Sequence, residues 1–206
     1  MASIPSRTPI HIRRFVFVWV AMTALAFLID ATWGAMRLPT VMLEGCPIAE
    51  QIGWGVALGL GFSVPLYLGV SFLRWFSSFR TELSELARYV DLGGLNPLWI
   101  STLAGFGEEL LFRGALQPVV GLWWASLLFT IAHYRGPING RRAAHASFFF
   151  VGGLLLGYVF LKLGLIAAIC AHMSIDLVAL SVARRLYKYG NSPTPWAFRR
   201  IGGSRG

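Results

Sequence analysis

Charge is scarce in this chain. Only 13% of its 206 residues are Asp, Glu, Lys or Arg, and the acidic ones number nine. Soluble domains draw about a quarter of their residues from that set, so an ordinary hydrated surface is excluded. Cysteine is nearly absent as well. Cys46 and Cys170 stand far apart, the second within an apolar run, which argues against a disulfide framework or a cysteine metal site. Neither H-E-x-x-H nor G-x-S-x-G occurs, and the glycines Gly105 and Gly107 precede a glutamate rather than the aspartate of an intramembrane aspartyl protease. No fixed-period repeat and no second domain are visible. The chain reads as one membrane-embedded domain over 1–206, with a motif-bearing core at 97–187 and a basic tail at 188–206.

Apolar residues fill the space that charge leaves: 56% of the chain is hydrophobic and its mean hydropathy is +0.63. Six runs are long or apolar enough to read as spans, at Phe15 to Met36, Ile52 to Phe76, Asn96 to Leu116, Val119 to Tyr134, Ser147 to Leu163 and Leu165 to Tyr187. The fold class is therefore all-α, a polytopic helical bundle of about six transmembrane helices. The first run exceeds a signal-peptide core and further spans follow it, so it reads as a span. Phe79 to Leu92 interleaves Arg80, Glu82, Glu85 and Arg88 with Phe79, Leu83, Leu86 and Tyr89, the pattern of an amphipathic helix at the membrane surface. Glycines four apart, Gly55 with Gly59 and Gly153 with Gly157, mark close helix contacts. Pro118 is expected to close the third span, and Asp30 to reach the outer interface.

The net charge of +9 could point to nucleic acid. Its placement points to lipid instead. With the N-terminus inside, every Lys and Arg except Arg37, Arg113 and Lys162 falls on the cytoplasmic side, as the positive-inside rule requires. Arginine's excess over lysine fits a bacterial chain, so the expected location is a bacterial inner membrane with both termini cytoplasmic.

Against that background Glu108, Glu109 and Arg113 stand out, three ionisable groups within six residues of an apolar span. On a helix Glu109 and Arg113 share a face and can pair, while Glu108 is turned by about 100° and left free for another task. His172 and Asp176 are also four apart on one span, and His133 lies on another. His11 and His145 fall in basic extramembrane segments and carry no role. A carboxylate and imidazoles around a water can activate it for amide hydrolysis. The same residues leave a second scheme open, with Glu108, His133 and His172 as zinc ligands and Glu109 or Asp176 behind them.

The three patterns in order, Glu108-Glu109 with Arg113, Phe129 with His133, and His172 with Asp176, resemble the CAAX protease and bacteriocin-processing family, also called Abi or type II CAAX prenyl endopeptidases. The resemblance covers roughly Pro97 to Leu180. It implies an intramembrane endopeptidase in which Glu108 and His133 activate water, His172 and residue 176 support the oxyanion, and Glu109 with Arg113 organises the site. It implies a glutamate mechanism with no cofactor, zinc being the alternative. The implied partner is a peptide or protein substrate, such as a leader or a C-terminal sorting segment, met in the lipid bilayer and not on nucleic acid. The family's eukaryotic prenyl proteases carry asparagine where this chain has Asp176, so an oxyanion role there requires the aspartate to be protonated. The opposing class is a non-catalytic membrane protein, an immunity partner or a transporter, that uses the same polar cluster for binding.

Overall fold

The computed structural model describes residues 12–33, 37–72, 77–134 and 140–189. The tail beyond 189 and His11 lie outside them. The described residues form helices α1 (Ile12–Thr32), α2 (Leu38–Val41), α3 (Ile48–Phe72), α4 (Ser77–Tyr89), α5 (Asn96–Glu109), a π-helical segment (Leu110–Leu116), α6 (Gln117–His133), α7 (Gly140–Leu163) and α8 (Leu165–Tyr189). No strand occurs among them; Gly45 and Gly164 form an isolated bridge. The chain is an all-α helical bundle, and five continuous helical runs are long and apolar enough to cross a membrane. Its outer surface is apolar: Phe17, Leu28, Trp33, Trp99, Trp123, Trp124 and Ile131 are exposed, as a lipid-facing surface requires.

The expected third and fourth spans appear as one run, Asn96–His133. Its break lies at Gly121, whose φ of 84° is left-handed and whose ψ of 166° is not helical. Pro118 does not end the third span. It follows directly on the π-helical segment, where the widened turn relieves the clash between a proline ring and the carbonyl four residues back. Glycine, which has no Cβ to oppose a positive φ, makes the reversal instead.

Pairwise contacts set the direction of every pass. Gly105 and Gly114 of the hairpin's first arm meet Met173 and Leu165 of α8, so these run antiparallel. Arg113 and Gln117 bond to the carbonyls of Gly153 and Gly157, so that arm runs parallel to α7. Gly153 and Gly157 in turn meet Ser126 and Leu122, so α6 opposes α7. Gly55 faces Ala167 and Cys170, and Gly59 faces Ala171 and Ser174, which lays α3 parallel to α8. The six passes alternate in direction, and the Ile12 and Tyr189 ends share one end of the bundle.

The passes are not equal in length. From Gly121 to His133 is 12 residues, about 18 Å at helical rise, against a hydrocarbon core of about 30 Å. The fourth pass, expected at Val119 to Tyr134, is therefore half a helix that ends inside the bundle.

Two other expectations change. Arg141, Arg142 and His145 belong to the first turns of α7, because the helix begins at Gly140, and not to an extramembrane loop. The apolar face of α4 is divided: Leu83 and Ala87 pack with Leu180 and Ala183 of α8, while Leu86 and Tyr89 stay exposed. Asp30 is buried and accepts the backbone N–H groups of Arg37 (3.1 Å) and Leu38 (2.9 Å), holding the start of α2.

The α3–α8 contact gives a test. A leucine at Gly55 or Gly59 must displace α8 backbone and is expected to cost about 1–3 kcal/mol in detergent unfolding. Gly53→Leu, at a glycine with nothing near it, should leave stability unchanged; equal losses at the two kinds of position would refute this packing.

Candidate active site

Glu109 and Arg113 pair as their spacing predicts, with Nη1 donating to Oε1 at 2.8 Å. Neither side chain reaches solvent. Arg113 Nη2 donates to the Gly153 carbonyl at 3.0 Å, and its guanidinium lies over the Phe129 ring, 4.6 Å from the centroid. Hydrogen bonds in two directions and a π-face below satisfy a cation in an apolar interior.

The same Glu109 oxygen accepts a second hydrogen bond, from His172 Nδ1 at 2.6 Å. Nothing local in the sequence signals this contact between residues 63 positions apart. It fixes the tautomer, because a carboxylate only accepts and Nδ1 must carry the proton. His172 Nε2 is thereby turned toward Asp176 Oδ2 at 3.5 Å and Glu108 Oε2 at 3.9 Å. Orienting His172 through Nδ1 thus falls to Glu109.

His133 is set in the same way. Its Nδ1 donates to the Phe129 carbonyl at 2.9 Å, one turn back in α6, so Nε2 points out at Glu108 Oε2, 3.3 Å away. Two rings hold it flat: Phe129 at 4.4 Å and Phe149 of α7 at 4.7 Å, the latter stacked at 21°. Phe149 is a further contributor that carries no motif of its own.

All six residues singled out in the sequence lie in one cluster. Solvent exposure divides it: the side chains of Glu108, His133 and Asp176 are 15%, 26% and 30% exposed, whereas those of Glu109, Arg113 and His172 are 0%, 1% and 6%. Glu108 lies 13 residues before Gly121 and His133 12 residues after it, so the hairpin sets them level, about 18–20 Å from the turn. The short α6 thus brings His133 to the middle of the bundle. His145 is elsewhere, paired with Glu82 of α4 at 2.8 Å.

Charge counting indicates what the cluster can do. Three carboxylates against one guanidinium leave two negative charges, and a buried group of this kind approaches neutrality only if two protons are held among Glu108, Asp176, His133 and His172. Those are the groups with exposed or facing atoms. Glu108 Oε2 has no hydrogen-bond partner among the described residues, although His133 Nε2 faces it. Among the described residues no three His, Cys, Asp or Glu side chains converge as a metal ion would need.

The comparisons fall on this same stretch. Residues 94–178 match the family described as type II CAAX prenyl endopeptidase Rce1-like. The motif-bearing segment is similar to that family. It begins just before α5 and ends two residues after Asp176, so all six clustered residues lie inside it, and the resemblance read from the three patterns is shown. A curated relative, "Uncharacterized protein YpbD" of Bacillus subtilis (strain 168), is 30% identical over 95 residues, which is 41% of this chain and 44% of the relative. The chain therefore spans less than half the length of the curated relative it matches. No solved structure gives a significant match.

Removing one member of the innermost pair strands a charge. Arg113→Met is expected to cost about 3–5 kcal/mol in thermal or denaturant unfolding, with the double variant Glu109→Leu/Arg113→Met losing less than the two single losses added together. Additive losses would show that the pair is not coupled.

Proposed function

We propose that this chain is an intramembrane endopeptidase that hydrolyses a peptide bond in a membrane-associated peptide or protein. The observation that carries the proposal is the facing of Glu108 Oε2 and His133 Nε2, 3.3 Å apart on side chains that are partly exposed, beside a histidine braced through Nδ1. The Rce1-like match of residues 94–178 supports the same reaction class.

In this reading a water held beside Glu108 and His133 loses a proton to the carboxylate as its oxygen bonds to the scissile carbonyl carbon. The carbonyl oxygen takes up negative charge and receives a hydrogen bond from a protonated His172 Nε2, the nitrogen that Glu109 leaves facing the site. Asp176 assists only while it carries a proton, since its carboxylate form would repel the oxyanion. Collapse of the tetrahedral intermediate breaks the C–N bond, and the proton gained from water passes to the departing amine. Glu109 and Arg113 hold the geometry and take no proton.

The substrate class is a leader, a peptide signal or a C-terminal sorting segment. The active site opens to the cytoplasmic half of a bacterial inner membrane, with both ends of the bundle's chain cytoplasmic. A reporter fused after Tyr189 that functioned only on the outer side would contradict that orientation.

Cleavage of a peptide library by purified protein tests the chemistry. Glu108→Ala and His133→Ala should each lower the rate by at least about 10²-fold while remaining folded, and stringent chelation should leave wild-type activity intact. Retention of activity by both variants would defeat the mechanism, and loss on chelation with recovery on adding Zn²⁺ would favour the zinc scheme. A wild-type protein that cleaves nothing but binds a partner would move the chain to the non-catalytic class.

A further inference from the structure

His133 is the last residue of α6, and Tyr134 after it has an extended backbone, with φ of −77° and ψ of 127°. A helix end is held less firmly than its middle, so the direction of a ring there depends on what packs against it from other elements. For His133 that support is Phe149 of α7, stacked on the imidazole at 4.7 Å and 21°. Whatever fixes the phenyl ring of Phe149 therefore also fixes the imidazole.

Phe149 is one helical turn from His145, on the same face of α7. The His145 ring abuts it at 4.7 Å and 88°, an edge-to-face contact that hinders rotation of the phenyl ring. His145 is in turn fixed from α4. Glu82 Oε2 lies 2.8 Å from its Nε2, and Phe79, three residues before Glu82 and so on the same face, packs on the imidazole at 5.4 Å. That Glu82 oxygen is buried and makes no hydrogen bond among the described residues, so the imidazole facing it is what compensates its charge. Leu83, turned by about 100° from Glu82, packs toward α8. Helix α4 thus rests on α8 with one face and holds His145 of α7 with another.

We propose that Glu82 and His145 are positioning residues that set the His133 ring for catalysis, acting through Phe149. Glu109 aims His172 by a hydrogen bond to the ring itself; His133 is aimed by a stacked face whose own orientation is set from α4. His145, which by its place in the sequence carries no role, becomes the link between the surface helix and the catalytic hairpin. The kinetic consequence rests on the peptidase reading, but the ring geometry does not.

NMR of the full chain in detergent, with histidine as the labelled residue type, tests the link, since the sequence holds only four histidines. The His133 Cε1–H signal is displaced by the ring current of the stacked Phe149. In Glu82→Ala and in His145→Ala it should move in the direction in which Phe149→Leu moves it, while an unmoved His172 signal reports an intact fold. Glu85→Ala, at an exposed carboxylate of the same helix, should leave it in place. With a peptide that the wild type cleaves, Glu82→Ala and His145→Ala should each lower kcat about tenfold at unchanged KM, and Glu82→Ala should add nothing to the loss in Phe149→Leu. Glu82→Gln, close to isosteric, serves in the same tests where the alanine variant does not fold. A His133 signal unmoved by both substitutions, a moved signal with unchanged kcat, or losses that add to that of Phe149→Leu would overturn the proposal. A wild-type protein that cleaves nothing would defeat the peptidase reading alone, and the ring signal would still uphold or overturn the link from Glu82 to His133.

Discussion

A carboxylate without access to solvent organises this molecule. Glu109 sits where ionised groups are most costly, and one of its oxygens receives both Arg113 and His172. Each partner ties in another element: Arg113 reaches the α7 backbone at Gly153 and the Phe129 ring of α6, and His172 belongs to α8. Four helical segments are thereby joined around one buried charge. The arrangement follows from electrostatics, because a carboxylate in an apolar interior must gather compensating donors or remain protonated. Those donors leave His172 with only Nε2 to face Glu108 and Asp176, so the group that neutralises the interior also aims the reactive ring.

Geometry of the hairpin supplies the second requirement. Gly121 reverses the chain early, and α6 is too short to cross, so its last residue, His133, ends level with Glu108 on the first arm. A full-length fourth helix starting at the same turn would carry its end, and the histidine with it, to the far surface. The half-helix and the buried brace are independent features that meet at Glu108. One places a partner opposite it, and the other completes the neighbouring wall.

What could be read from the sequence was local or carried by motif order. The pairing of Glu109 with Arg113 and the shared face of His172 and Asp176 follow from four-residue spacing, which a helix converts directly into proximity. The close contacts at Gly55, Gly59, Gly153 and Gly157 follow for the same reason. Contacts between distant residues were not legible. Nothing in the pattern ties Glu109 to His172 or lays Phe149 on His133, since both depend on how whole helices pack. The third span was given the wrong end because proline is the usual breaker of a regular α-helix, and the π-helical turn ahead of Pro118 removes the clash that makes it one. Helix α7 starts earlier than hydropathy indicates because its first turns are polar yet helical.

The mid-depth position of these facing atoms has a consequence for any chain that would be cut there. A helical segment hides its carbonyl carbons behind its own backbone hydrogen bonds and side chains, so a scissile bond can meet Glu108 and His133 only after local unwinding. In hydrocarbon each freed amide or carbonyl carries a penalty of several kcal/mol. Segments already poor in helix stability, those rich in glycine or proline or those ending at the membrane edge, incur the smallest share of it. Under the peptidase reading, substrate choice is then governed by how readily a segment unwinds as much as by which side chains flank the bond.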